Sequence, residues 1–168
     1  MKIFAPQDLN AFINLLPTIY NEPGPAYIRV NHRVSLPTTS QLNAKFDAIV
    51  ISYGTVADHL KSLQSDLAVN GATFKLYIPN QIYPVPLEVI DAILNSDKPI
   101  ITIEDHIYPG SLAHHLQGIV KERKRINFIG LDNHFHQPLL LDELLKAPPF
   151  CLEHLSSRIT AIVNEVTH

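Results

Sequence analysis

Ile100-Ile101-Thr102-Ile103-Glu104-Asp105-His106 ends a β-branched apolar run with two carboxylates and an imidazole, and Tyr108-Pro109-Gly110-Ser111 then turns the chain. Carboxylate and imidazole groups can move protons near neutral pH. In an open α/β sheet, ligands bind in the crevice beyond the carboxyl ends of the strands. The same residue types also serve as helix-entry groups, because anions favour the positive end of the helix dipole. Glu104 and Asp105 are adjacent, so at a strand end their side chains diverge. That disfavours a paired-carboxylate acid/base site built from these two alone. Arg29 closes a second apolar stretch, Ala26-Tyr27-Ile28. An arginine in such a place is either a two-point anion clamp or one half of a structural salt bridge.

Other chemistries find less support. Nine histidines invite a metal site. His134-x-His136 beside Asp132 could bring two imidazoles to one ion if that segment is extended. His114 and His115 cannot share an ion on a helix, where neighbours point about 100° apart. No histidine pair has the i, i+4 spacing of a zinc protease, so no metal site is assigned. Tyr53-Gly54-Thr55 has one glycine and lacks the Gly-x-Gly-x-x-Gly fingerprint. It offers at most a weak anion site at a helix start. There is no phosphate loop and no Gly-x-Ser-x-Gly elbow. The lone Cys151 excludes an internal disulfide and reads as a small hydrophobe in a reducing compartment.

The elements that must position these groups follow from periodicity. Residues 1–30 read as strand, helix and strand. Ile3-Phe4 starts the unit, Leu9, Phe12, Ile13, Leu16 and Tyr20 fall at helical spacing, and Pro17 ends or kinks that helix. A polar linker follows, with a short strand proposed at Arg33–Leu36. Alternation then sets in. Asp47–Ser52 is a strand, and Thr55 caps a helix with Asp58 at capping-box spacing. Asn70-Gly71 ends that helix. Thr73–Ile78 is a strand, Pro79, Pro84 and Pro86 mark a loop, and a short helix spans Leu87 to Leu94. The opening stretch follows, then a helix from Leu112, a strand at Ile126–Ile129 ended by Gly130, a helical turn at Leu139–Leu145 and a closing amphipathic helix carrying Leu155, Ile159 and Ile162. Strands alternating with helices of this length predict a mostly parallel sheet covered on both faces.

The bulk properties agree with one medium domain of 168 residues, 46% hydrophobic and 17% charged. A net charge of −3 argues against nucleic acid as main partner. The basic run Lys121–Arg125 reads as a solvated helix terminus. Apolar runs are too short to span a membrane, and Met1–Asp8 lacks a signal-peptide core. A cytoplasmic location is expected.

Several short motifs taken in order point further: Ala5-Pro6-x-Asp8, Gly24-Pro25-Ala26-Tyr27-Ile28-Arg29, Tyr53-Gly54-Thr55, Ile82-Tyr83-Pro84, Ile103-Glu104-Asp105-His106, Gly110, and Ile129-Gly130-Leu131-x-x-x-Phe135. Their order and spacing resemble the C-terminal section of the transketolase group of thiamine-diphosphate enzymes. That group includes transketolase, 1-deoxyxylulose-5-phosphate synthase and the 2-oxo-acid dehydrogenase β subunit. The resemblance covers nearly the whole chain. It implies an α/β fold, a three-layer α/β/α sandwich whose mostly parallel five-stranded sheet has one antiparallel strand. It divides the chain into the tail of a pyrimidine-binding domain (1–32), a linker with a possible first strand (33–46) and a C-terminal domain (47–168).

The resemblance also implies a division of labour. The family's Gly-Asp-Gly…Asn metal–diphosphate motif and its activating glutamate are not in this sequence, and both would lie upstream of Met1. Two-carbon ketol or acyl transfer, with thiamine diphosphate and Mg, would then need a partner polypeptide carrying the cofactor- and pyrimidine-binding domains. This chain alone would bind no cofactor and carry no catalytic residue. Arg29 matches the arginine that resembles a substrate-phosphate ligand in the sugar-phosphate enzymes. Glu104, Asp105 and His106 become residues shaping a corner of the C-terminal domain. Pro86 and Pro109-Gly110-Ser111 depart from the family pattern. The chain is expected to form a dimer or other homo-oligomer. The alternative is a free-standing, non-catalytic interaction module that kept the fold.

Overall fold

The computed structural model describes residues 1–30, 45–133 and 140–167. Two sheets organise them. The larger has four parallel strands in the order β4-β3-β6-β7, formed by β3 (Ala48–Ser52), β4 (Phe74–Tyr77), β6 (Ile100–Ile107) and β7 (Ile126–Leu131). The smaller has the order β2-β1-β5 and joins β1 (Lys2–Phe4), β2 (Ala26–Ile28) and β5 (Gln81–Tyr83). β1 and β2 are parallel, bridged by helix α1 (Leu9–Asn21), whereas β5 runs antiparallel to β1.

The central strands are apolar on both faces, as a parallel sheet under two helix layers requires. Alternate residues of β3 separate cleanly. Ala48 and Val50 join Val56, Leu60 and Leu67 of α2 (Gly54–Val69), Leu145 of α5 (Leu141–Lys146), and Leu155, Ile159 and Ile162 of α6 (Leu152–Thr167). Ile49 and Ile51 join Val89 and Ile93 of α3 (Leu87–Leu94) and Leu112, Leu116 and Val120 of α4 (Leu112–Val120). Each strand thus feeds two cores with period two.

Several sequence expectations change, and one falls outside the described residues. Among the described residues the larger sheet has four strands, all parallel, and the antiparallel pairing lies in the smaller sheet. The strand proposed at Arg33–Leu36 lies outside the described residues. Gln81–Tyr83, read as loop, is strand β5, because Ile82 and Tyr83 favour extended backbone and a triplet between prolines can pair along β1 without entering a long ladder. Helix α1 runs through Pro17 to Asn21, tolerating the lost N–H on a helix with no buried residue. Helix α2 starts at Gly54 with Tyr53 in the cap position and no side-chain capping bond, so the Thr55 cap does not form there. Gly54 takes φ +61°, a conformation open to glycine, and turns the chain one residue earlier than a capping box would.

Gly130 does not end β7 but lies inside it. A Cβ there would collide with the Phe128 ring and come within 2.7 Å of the His106 carbonyl oxygen and 2.9 Å of that of Glu104. Glycine is therefore what allows β6 to pass close by. The pairing of β6 and β7 shifts register here. Ile103 faces Ile129 and Ile107 faces Leu131, so three residues of β6 stand against Gly130 alone. Such a bulge re-aims side chains next to a site, and the three residues are Glu104, Asp105 and His106.

Candidate functional site

The bulge sends Glu104 and Asp105 in different directions. Glu104 is 1% exposed. Its carboxylate accepts the backbone N–H of Leu112 at 2.8 Å and of Ala113 at 2.9 Å, and the Tyr53 hydroxyl at 3.1 Å. Leu112 and Ala113 are the first residues of α4, and their amides are among those with no partner inside the helix. The next orphan, the N–H of His114, is held by the Ser111 side chain at 3.1 Å. A strand carboxylate and a cap hydroxyl together complete the helix start. Burial raises the pKa of Glu104, partly offset by the bonds from Ala113, Leu112 and Tyr53. Burial, then the nearby Glu104 and Asp105 charges, raises that of Tyr53 and keeps its hydroxyl protonated as the donor.

Asp105 turns the other way. Its two oxygens accept Nη1 of Arg29 at 3.0 Å and Nη2 at 2.5 Å, a fork-on-fork pair. The Asp105 side chain is 10% exposed and that of Arg29 42%. Hydrogen bonding to Asp105 raises the Arg29 pKa against the opposing effect of burial. Arg29 follows β2, and its N–H donates to the Phe4 carbonyl at 2.9 Å, continuing the β1–β2 ladder by one residue. Further ties hold the strand-helix-strand unit in place: the Ala5 N–H donates to the Asn80 carbonyl at 2.8 Å, and Gln7 Nε2 donates to Asp58 at 2.8 Å.

Between that unit and the ends of β3 and β6 lies a cleft of about 370 Å³. Arg29, Tyr27, Tyr53, Tyr83, His106 and His115 contribute to its walls. His106 Nδ1–H donates to the Ile107 carbonyl at 2.7 Å, a partner that can only accept and so places a proton on Nδ1. His115 meets Tyr83 edge-on at 4.6 Å between ring centres, while His114 Nδ1 accepts the Gly110 N–H at 3.2 Å. The adjacent histidines therefore serve separate places. A guanidinium, phenolic hydroxyls and imidazoles around an apolar floor suit a small anionic molecule.

The sequence singled out Arg29, Glu104, Asp105 and His106, and the fold gathers all four at this corner. Sequence reasoning missed Tyr53 as the donor to Glu104 and His115 as a cleft wall. The aromatic before Gly54 was the available signal for the first. Tyr53-Gly54-Thr55, weighed as an anion site, forms the start of α2 beside this cleft. Cys151 is half-buried at the start of α6. His134 and His136 lie outside the described residues. Among the described residues no three His, Cys, Asp or Glu side chains gather to hold a metal ion. Among them, too, no helix is long and apolar enough to cross a membrane.

Comparison with known proteins gives this corner a context. No protein-family model matches the chain. Over 180 residues it is 22% identical to the 1-deoxy-D-xylulose-5-phosphate synthase of Bacillus velezensis (strain DSM 23117 / BGSC 10A6 / LMG 26770 / FZB42). That match covers 99% of this chain but 26% of the synthase, so the chain spans about a quarter of that relative's length. It is also 25% identical over 185 residues to the peptidyl-tRNA hydrolase of Prochlorococcus marinus (strain MIT 9301), covering 86% of this chain and 91% of the hydrolase. The two relatives differ in activity. A solved structure described as a split gene transketolase, inactive β4 tetramer, superposes with a TM-score of 0.76 at 14% identity, covering 98% of this chain and 57% of that one. The chain thus has the fold of that split gene transketolase structure and is similar in sequence to a part of the synthase.

Proposed function

We propose that this chain is the C-terminal section of a transketolase-like thiamine-diphosphate enzyme and works only within an assembly. Residues 1–32 complete a pyrimidine-binding domain, 33–46 link, and 47–168 form the C-terminal domain. A partner polypeptide in the cytoplasm brings the remaining segments with thiamine diphosphate and Mg, which supply the two-carbon transfer chemistry when bound. The contribution of this chain is to brace that assembly and to present Arg29 to the phosphate of a sugar-phosphate substrate. The observation that supports this most is the superposition of nearly all of the chain on a split gene transketolase.

A non-catalytic interaction module is the second reading, favoured by the pairing of Arg29 with Asp105 and by the apolar outer face of α1. A peptidyl-tRNA hydrolase would need a face for a polyanion, and a net charge of −3 with its one basic run at the exposed end of α4 offers little for one. The test is co-elution. A polypeptide carrying the cofactor- and pyrimidine-binding segments, mixed with this chain, should migrate with it in size-exclusion chromatography. Separate migration at micromolar concentration would remove the split-enzyme reading and leave the module.

A further inference from the structure

The Arg29–Asp105 pair admits two opposite roles. Asp105 could occupy the place of a substrate anion, or it could hold the guanidinium ready for one. An arginine carries five N–H donors, and Asp105 engages one on each Nη. The other three include Nε–H, whose edge is itself a fork for an oxyanion. Arg29 is among the residues lining the cleft, whereas Asp105, 10% exposed, is not. An anion entering the cleft would therefore approach Arg29 from a side that Asp105 does not line.

We propose that Asp105 is a positioning residue: it fixes the Arg29 guanidinium so that its Nε–H edge receives the phosphate of a small phosphorylated molecule in the cleft. This rests on the reading of Arg29 as a substrate-phosphate ligand. Ordering a long side chain before the ligand arrives removes that cost from binding. Asp105 is suited to the task because it is itself held. The β6 bulge against Gly130 aims it, and its neighbour Glu104 is tied to α4 on the other side. Tyr27 and His106 also line the cleft, side chains able to meet hydroxyl groups of the same ligand.

The probe is inorganic phosphate, titrated into ¹⁵N-labelled protein at constant ionic strength with chloride as control, while the Arg29 Nε–Hε resonance is followed. The native protein should give a saturable shift that chloride does not reproduce. Asp105→Asn should weaken the phosphate affinity by about tenfold and speed exchange of the Arg29 Nε proton with water. Asp105→Glu, which keeps the charge but moves the carboxylate by a methylene, should weaken it as well. It stands in if the Asn variant loses the Leu112 and Ala113 amide signals that report a folded corner. Equal or tighter phosphate binding by these variants overturns the positioning role and leaves the Arg29 ligand standing. Unchanged phosphate binding by Arg29→Gln, followed through the backbone amide resonances of the cleft residues because this variant lacks the Nε–Hε group, or a native Nε–Hε resonance indifferent to phosphate, overturns both.

Discussion

Arg29 and Asp105, 76 positions apart in sequence, meet through two N–H···O bonds of 3.0 and 2.5 Å and join the N-terminal strand-helix-strand to the bulge in β6. Two-point geometry does not make the pair a large source of stability. Arg29 is partly in water, where such pairs contribute about 0–1 kcal/mol. A double-mutant cycle with Arg29→Gln and Asp105→Asn should give a coupling near 1 kcal/mol or less in denaturant unfolding. A coupling of several kcal/mol would mean the pair is a structural keystone and not a site.

Glu104 is the opposite case, because its partners are buried backbone amides. Glu104→Ala would strand the Leu112 and Ala113 N–H groups and the Tyr53 hydroxyl. At roughly 1–3 kcal/mol for each buried orphan, a loss of about 3 kcal/mol or more is expected, read as a lower midpoint in urea. Tyr53→Phe removes one donor only and should cost about 1 kcal/mol.

The Glu104 carboxyl also sets a pH dependence. Its folded pKa is raised from 4.5, chiefly by burial. Between 4.5 and that raised value the native state binds the proton more tightly than the unfolded chain, so stability falls as pH rises through that window. Glu104→Gln, less stable at every pH, should lose this slope. Thermal melts at closely spaced pH values above 4.5 check it, and parallel slopes for both proteins would contradict the cause.

Gly130→Ala should destabilise by about 1–3 kcal/mol, the usual range for forcing atoms into a packed site, because the new methyl meets carbonyl oxygens of β6 that cannot retreat from their own ladder. The movement falls on the Glu104–His106 segment. The Ala113 amide resonance should therefore shift in the variant along with its melting temperature, and an unmoved resonance would place the strain elsewhere.

Helix α1 presents a second apolar stripe besides the one on its sheet. Leu9, Ile13, Leu16 and Tyr20 are all exposed, at spacings of four, three and four, on a helix with no charged side chain. Such a seam suits another helix. The isolated chain should self-associate in sedimentation velocity as concentration rises, and Ile13→Lys with Leu16→Glu should return it to monomer. A monodisperse native monomer at high concentration would count against an assembly surface here.

Period-two and period-3.6 patterns made the larger sheet and its helices legible, as in Ile49–Ile51 and in Leu155, Ile159 and Ile162, because burial of one face repeats along the element. The three-residue strand β5 escaped, since its pairing with β1 is a tertiary choice with no local period. Gly130 read as a terminator because its reason, the nearby β6 backbone, is a contact and not a pattern. The motif order pointed to Arg29 and the Glu104–His106 corner. It could not foretell that Asp105 pairs with Arg29 while Glu104 anchors α4. Those partners are set by a bulge, and a bulge depends on two strands at once.

The central claim is that this chain is one part of a two-carbon transferase and supplies Arg29 to its substrate. The most direct measurement is ketol transfer between sugar phosphates, with thiamine diphosphate and Mg present, by this chain mixed with a polypeptide carrying the missing segments. The account predicts no transfer by either polypeptide alone, transfer by the mixture, and a raised KM for the phosphorylated substrate when Arg29→Gln replaces the native chain. A co-eluting mixture that shows no transfer, or transfer indifferent to Arg29, would contradict it.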